Sequence, residues 1–249
     1  MPYRTHEDVQ TPQPDTLTVW RYMPVDKFES FVETGRLFFP SVALLAEEMD
    51  PFEGRLSAPT IGEFRDIPAG EAADKVAERQ AIADHNLGLI DASRQLLYVS
   101  CWHLGEYESA AMWQVYAGAG KGIAIRSTIG RLKAAFARES IEIEIGAVSY
   151  IDHATDHTPW NNVFFRALHK PRAYQSESEV RCVILAVGDG RGMFVNIDVR
   201  ELIEGVYLAP RSSSELRERV RNLLGKHGLD GALLSSALDA PPSYGRPPA

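Results

Sequence analysis

Leu96-Leu97-Tyr98-Val99-Ser100-Cys101-Trp102 is an unbroken run of large, mostly apolar residues. Its length and its aromatic and β-branched content predict a central strand buried on both faces, and His103-Leu104-Gly105-Glu106 reads as the loop that ends it. A second strong strand is expected over Glu177 to Val187, and shorter ones over Leu17 to Tyr22, Arg36 to Pro40, Gly122 to Arg126, Met193 to Ile197 and Val206 to Ala209. Ile141-Glu142-Ile143-Glu144-Ile145 opens a further strand, to Tyr150, with the alternation of one wet face. Between them lie helical patterns. Phe28, Phe31 and Val32 share one face of a helix that opens after Pro24-Val25-Asp26 and ends at Gly35, a residue suited to a left-handed cap. Helices are also predicted within Ile67 to Leu89, over Glu108 to Tyr116, from Arg126 to Phe136, over Asn161 to Leu168 and over Ser212 to His227. Irregular alternation of strands and helices, with many short turns, favours an α+β fold with a mixed, mainly antiparallel and possibly split sheet and flanking helices. Gly118, Gly120 and Gly122 form a turn between a helix and a strand, the reverse of the order a dinucleotide-binding fingerprint requires.

A chain of 249 residues can bury a large core without staples, and 45% hydrophobic with 24% charged residues is ordinary globular composition. One domain is expected over residues 17–238, with a flexible leader over 1–16 and a disordered Pro- and Ser-rich tail over 239–249. Cys101 and Cys182 sit in apolar runs and read as buried free thiols. Neither they nor His153, His157 and His169 have metal-ligand spacing, so no metal is expected. The leader has no apolar core and no later run approaches a membrane span, which points to the cytoplasm. A formal net charge of −8 argues against a broad nucleic-acid-binding surface, whose affinity comes from neutralising phosphates.

Four blocks carry a resemblance over roughly Leu17 to Leu238. They are Trp20-Arg21-Tyr22 with Gly35-Arg36-Leu37; Asp50-Pro51-Phe52-Glu53; Ser100-Cys101-Trp102 with Met112-Trp113, Tyr116 and Lys121-Gly122; and Lys170 with Tyr174, Glu177, Glu179 and Arg181. Together they resemble a widespread bacterial family of unknown function whose members often sit near phage-defence and toxin genes. Met49 stands where that family usually has Asn before the Asp. The order of the blocks is also similar, more faintly, to the ADP-ribosyltransferase superfamily. That likeness implies a split antiparallel sheet holding NAD in its cleft, with an Arg or His on a first strand, a Ser or Tyr on a middle strand and a Glu opening a late one, often as Glu-x-Glu. Arg21, Ser100 and Glu179, with Glu177 two residues earlier, fall in that order.

Cleavage of the nicotinamide bond builds an oxocarbenium-like charge on the ribose, which a fixed carboxylate stabilises. The resemblance assigns that role to Glu179 and proton transfer or orientation of the acceptor to Glu177. Read as surface residues, both would instead pair with Arg181 or Lys170. Arg21 would hold a phosphate or ribose, Ser100 would hydrogen-bond the ligand or a backbone carbonyl, Trp102, Trp113 and Tyr116 would stack on nicotinamide or adenine or simply fill the core, and Tyr22 is a further cofactor-binding candidate. His103, directly after the central strand, is a secondary candidate. The expected function is NAD cleavage with transfer of ADP-ribose to a macromolecular acceptor, as in a toxin or phage-defence effector. The alternative is a non-catalytic domain binding a nucleotide or a protein. A magnesium nuclease using Asp50, Glu53 and the late glutamates is a third reading.

Overall fold

The computed structural model describes residues 9–117 and 121–239. In chain order it has β1 (Thr18–Pro24), α1 (Val25–Thr34), β2 (Arg36–Pro40), α2 (Val42–Glu48), α3 (Ala58–Arg65), α4 (Ala73–Ala92), β3 (Leu97–Leu104), α5 (Ala110–Met112), β4 (Gly122–Thr128), α6 (Ile129–Ala135), β5 (Glu144–Ala147) and β6 (Ser149–Ile151). There follow β7 (His169–Pro171), β8 (Glu179–Leu185), β9 (Gly192–Asn196), α7 (Val199–Leu202), β10 (Gly205–Leu208), α8 (Ser214–Lys226) and β11 (Leu233–Leu234). The fold class is α+β, with mainly antiparallel strand pairing and flanking helices, as the sequence predicts.

The chain divides into two compact units, each built from separated segments. Among the described residues the first comprises 9–14, 37–104 and 136–197, and the second 15–36, 105–117, 121–135 and 198–239.

In the first unit β3, β8 and β5 form an antiparallel sheet in the order β3-β8-β5. Two small pairs accompany it, β2 with β9 and β6 parallel to β7. Val42, Leu97, Val99, Ala167, Leu168 and Val183 make a core on one face of this sheet. Val9 joins them, and Gln10 and Thr11 bond to the β5 backbone, so this part of the leader is docked on the unit. Gly146 on β5 has a steric reason: a Cβ there would stand 2.7 Å from Leu168 Cδ1 and 2.9 Å from Val9 Cγ1.

In the second unit β1 and β10 flank β4 in antiparallel register, and β11 adds in parallel to β10. Its core joins Trp20, Tyr22, Met112, Trp113, Ala124 and Tyr207. Helix α1 buries Phe28, Phe31 and Val32 and ends at Gly35, whose φ of 64° lets its N–H reach Phe31 O. Helix α8 starts at the cap Ser213, whose hydroxyl accepts from Leu216 N, and buries Val220, Leu223 and Leu224.

Several expected elements change form. The helix expected over Asn161 to Leu168 is a 3-10 segment, Val163–Ala167, and the one over Glu108 to Tyr116 is the single turn α5 running into a π-helical turn, Trp113–Ala117. The expected strand Ile141 to Tyr150 breaks into β5 and β6. Gly118 and Gly120, and residues 240–249 of the expected tail, lie outside the described residues.

The turn Asp50–Gly54 depends on its glycine. Gly54 has a φ of 70°, and a Cβ there would lie 2.3 Å from Val42 Cγ1. Gly54→Ala should therefore destabilise the protein by more than about 1 kcal/mol, through left-handed strain and the clash together. Denaturant unfolding measures this, and an unchanged midpoint would show that the turn relaxes freely.

Candidate functional site

The first unit buries a chain of alternating charges. It begins at β8, where Glu179 and Arg181 alternate with Val180 and Cys182 and therefore face the same side of the sheet. The Arg181 guanidinium donates from Nε to Glu179 Oε2 at 2.6 Å, from Nη1 to Glu53 Oε1 and to Ala167 O, and from Nη2 to Glu53 Oε2 at 3.1 Å. Its side chain is 1% exposed. Lys170, on β7, donates from Nζ to Glu179 Oε1 at 2.9 Å and to Glu177 Oε2, and its ammonium lies 4.4 Å from the centre of the Tyr174 ring. Glu53, Arg181, Glu179, Lys170 and Glu177 thus form one continuous buried network.

Local structure brings these groups together. Glu53 is delivered by the Asp50–Gly54 turn, in which Glu53 N donates to Asp50 O and Phe52 N to Asp50 Oδ1. Lys170 is fixed opposite Tyr150 by the β6–β7 pairing, and Tyr150 Oη accepts the Glu179 backbone N–H at 2.7 Å. Glu177 is not on the strand. It closes the 3-10 segment Arg172–Glu177, and Ser178, left-handed at φ 43°, turns the chain into β8. The two carboxylates consequently meet across Lys170 rather than along a strand face.

Burial and charge split the protonation of the pair. Burial alone would raise both carboxyls. At Glu179 the charges of Arg181 and Lys170, with hydrogen bonds from Glu177 and Arg181, overcome it and hold the group ionised well below the usual carboxylate range. At Glu177 burial prevails, reinforced by the neighbouring Glu179 charge, and pushes the carboxyl up to about 7. The Lys170 ammonium is also disfavoured by burial, yet Glu179 and Glu177 raise it above the ordinary lysine value. Two cations face two carboxylates, Glu53 and Glu179, so the network is neutral while Glu177 keeps its proton. The same face carries Cys101, opposite Arg181, whose thiol burial pushes up to about 12. The cysteines are free.

His103 lies opposite Glu179 on β3, and its Nδ1 is 2.6 Å from Glu177 O. A carbonyl oxygen only accepts, so Nδ1 carries the hydrogen in this bond.

Strand parity separates other expected site residues from this cluster. Ser100 pairs with Cys182 and Trp102 with Val180, which puts both on the opposite face of the sheet from Glu179 and Arg181. There Trp102 Nε1 donates to Ser100 Oγ at 3.0 Å, both residues being fully buried. The expectation that Ser100 and Trp102 share a crevice with Glu179 is corrected by this register. Arg21, Tyr22 and Trp113 belong to the second unit. Arg21 is half-buried on β1 opposite Ile125. Tyr22 and Trp113 are core residues with rings edge to face at 5.0 Å; Tyr22 Oη accepts from Ser109 N, and Trp113 Nε1 donates to Glu108. Glu53 has both oxygens on Arg181, so the nuclease reading loses a metal ligand. Among the described residues no group of three or more His, Cys, Asp or Glu side chains is placed to hold a metal. No helix among them is long and apolar enough to cross a membrane.

The chain matches no protein-family model and no curated protein.

Removing one partner of a buried pair leaves the other charge uncompensated. Arg181→Leu should cost about 3–5 kcal/mol in denaturant unfolding, and a loss under about 1 kcal/mol would mean that Glu179 and Glu53 regain solvent. The pH dependence has a definite sign. Glu177 keeps its proton in the folded chain to about pH 7 but loses it near 4.5 when unfolded, so its stabilising effect is full below 4.5 and is lost as pH rises through 7. Glu179 acts oppositely: its contribution is present above 4.5 and disappears as pH falls below that value. His153 and His169, whose burial lowers their pKa, act in the opposite sense over this range, so the test is the difference: from pH 5 to 8 the thermal stability of the wild type should fall relative to that of Glu177→Gln. Parallel curves would place the proton elsewhere.

Proposed function

We propose that the first unit carries an acid-base site for cleaving a glycosidic bond, with NAD as the substrate and ADP-ribose passed to water or to a macromolecular acceptor. The observation that carries this reading is the pair of buried carboxyls on one ammonium, Glu177 and Glu179 both bonded to Lys170. Environments that push two neighbouring carboxyls apart are the pattern by which acid and base roles are assigned.

The roles differ from those the superfamily resemblance implies. Both oxygens of Glu179 are held, one by Lys170 and one by Arg181, so its charge is largely spent inside the network. In this reading Glu179 is a positioning residue, and the reactive carboxyl is Glu177. When the bond from ribose C1′ to the nicotinamide nitrogen breaks, its electron pair neutralises the pyridinium, so nicotinamide leaves without needing a proton. The incoming hydroxyl of water or acceptor must lose one as its oxygen bonds to C1′. A carboxylate that becomes available near pH 7 suits that task. His103 bonds the Glu177 carbonyl and steadies the segment that carries the base. A soluble cytoplasmic effector acting on a macromolecule fits this reading.

One observation favours a second reading, a non-catalytic nucleotide- or protein-binding domain. Glu179 and Arg181 are satisfied within the protein and are 6% and 1% exposed at their side chains, as in an internal strut.

Incubation with NAD separates the two. The enzyme reading expects nicotinamide release that rises with pH through about 7, falls by at least about a hundredfold in Glu177→Gln, and is accompanied by native folding of that variant. Stabilisation by NAD with no product, or equal turnover by wild type and Glu177→Gln, would leave the binding reading or another base.

A further inference from the structure

A cavity of about 280 Å³ opens in the first unit between α3, α4 and the 3-10 segment Val163–Ala167. Leu56, Ile61, Leu87 and Ile90 supply apolar walls, Arg55, Arg65 and Arg166 cationic ones, and Asp91 one carboxylate. It shares no lining residue with the Glu177–Glu179 network.

Arg166 is the unusual member. It is 4% exposed, yet among the described residues no carboxylate pairs with it. Its guanidinium donates to neutral acceptors only: Nε and Nη2 to Gly54 O, at 3.1 and 2.7 Å, and Nη1 to Ile90 O and Ser93 Oγ. Those bonds use four of the five N–H groups of an arginine and leave one on Nη2. A buried cation is costly unless paired. Burial and repulsion from Arg94 outweigh the attraction of Asp91 and lower its pKa to about 10, so it is still charged at neutral pH.

The surrounding acids are already engaged. Asp91 bridges Arg55 at 3.4 Å and Arg94 at 2.9 Å, and Asp84 holds Arg65 at 2.9 Å. Arg55, Arg65, Arg94 and Arg166 against Asp84 and Asp91 leave two positive charges in excess, on a chain whose overall charge is −8. A buried guanidinium with no carboxylate in contact, beside an apolar hollow, calls for an anion with an apolar body. The volume is just under the roughly 300 Å³ at which pockets begin to take drug-sized ligands, which suits a small ligand rather than a dinucleotide.

We propose that this cavity binds a small amphiphilic anion, a carboxylate or phosphate head on a short apolar body. The head meets Arg166 and the rim arginines Arg55 and Arg65, and the body packs on Leu56, Ile61 and Leu87. The site is separate from the glycosidic-bond reading and stands or falls without it.

Calorimetric titration of the full chain with octyl phosphate, octanoate, octanol and inorganic phosphate tests this. Saturable binding of at least one amphiphilic anion is expected, with the stronger of the two identifying the head group. Octanol and inorganic phosphate should bind at least about tenfold more weakly. Leu87→Trp, which fills the hollow from a half-exposed position, and the double variant Arg55→Gln/Arg65→Gln, altered only at exposed side chains, should each weaken binding by about tenfold or more while the fold persists. Equal binding of octanol would reduce the site to apolar adsorption, and equal binding of inorganic phosphate to a surface arginine cluster. Unchanged affinity in Leu87→Trp, or no binding of either anion by the wild type, overturns the proposal.

Discussion

A guanidinium stays charged at any ordinary pH, so a chain that buries one must surround it with acceptors. Arg181 does this in the middle of β8, drawing Glu53 from a turn more than a hundred residues earlier, Ala167 O from a 3-10 segment and Glu179 from its own strand. Three separate stretches of the first unit are thereby tied to one side chain. Lys170 extends the arrangement to Glu177, and Tyr150 secures the backbone at Glu179. Such a network costs desolvation energy that apolar residues would not, and it is weak grounds for stability alone. What it does supply is a carboxyl whose ionisation falls near neutrality, since a third carboxylate would upset the balance of two anions and two cations.

Much of the fold is legible in the sequence. Continuous apolar runs mark β3 and β8, and the spacing of Phe28, Phe31 and Val32 with Gly35 after them marks α1 and its end. Short segments are less legible because few residues carry their pattern. Val163–Ala167 has helix-like spacing, but Asn162 caps only a single 3-10 stretch, its side chain accepting from Phe164 N.

The site was legible in part. Glu177, Glu179, Lys170 and Arg181 stand close in sequence, and their mutual pairing is the plain reading of that spacing; the burial of the pairing is not, because nothing local shows which face of β8 is covered. Ser100 illustrates the limit. A strand apolar on both faces gives no alternation from which to tell one side from the other, and only the pairing of Ser100 with Cys182 reveals that it looks away from Glu179. Glu53 was visible as an acid in a turn, but its partner lies 128 positions along the chain and could not be read. Trp113 is core, as its helical spacing allowed.

The claim on which this account rests is that the two neighbouring carboxyls differ in protonation. Carbon-13 NMR titration of side-chain carboxyls in glutamate-labelled protein, with Glu177→Gln and Glu179→Gln used for assignment, measures it directly. The account predicts one resonance, lost in Glu177→Gln, that titrates at about 7, and another, lost in Glu179→Gln, that stays ionised through the whole range in which the protein remains folded. Two resonances titrating together near the ordinary glutamate value of 4.5 would contradict it.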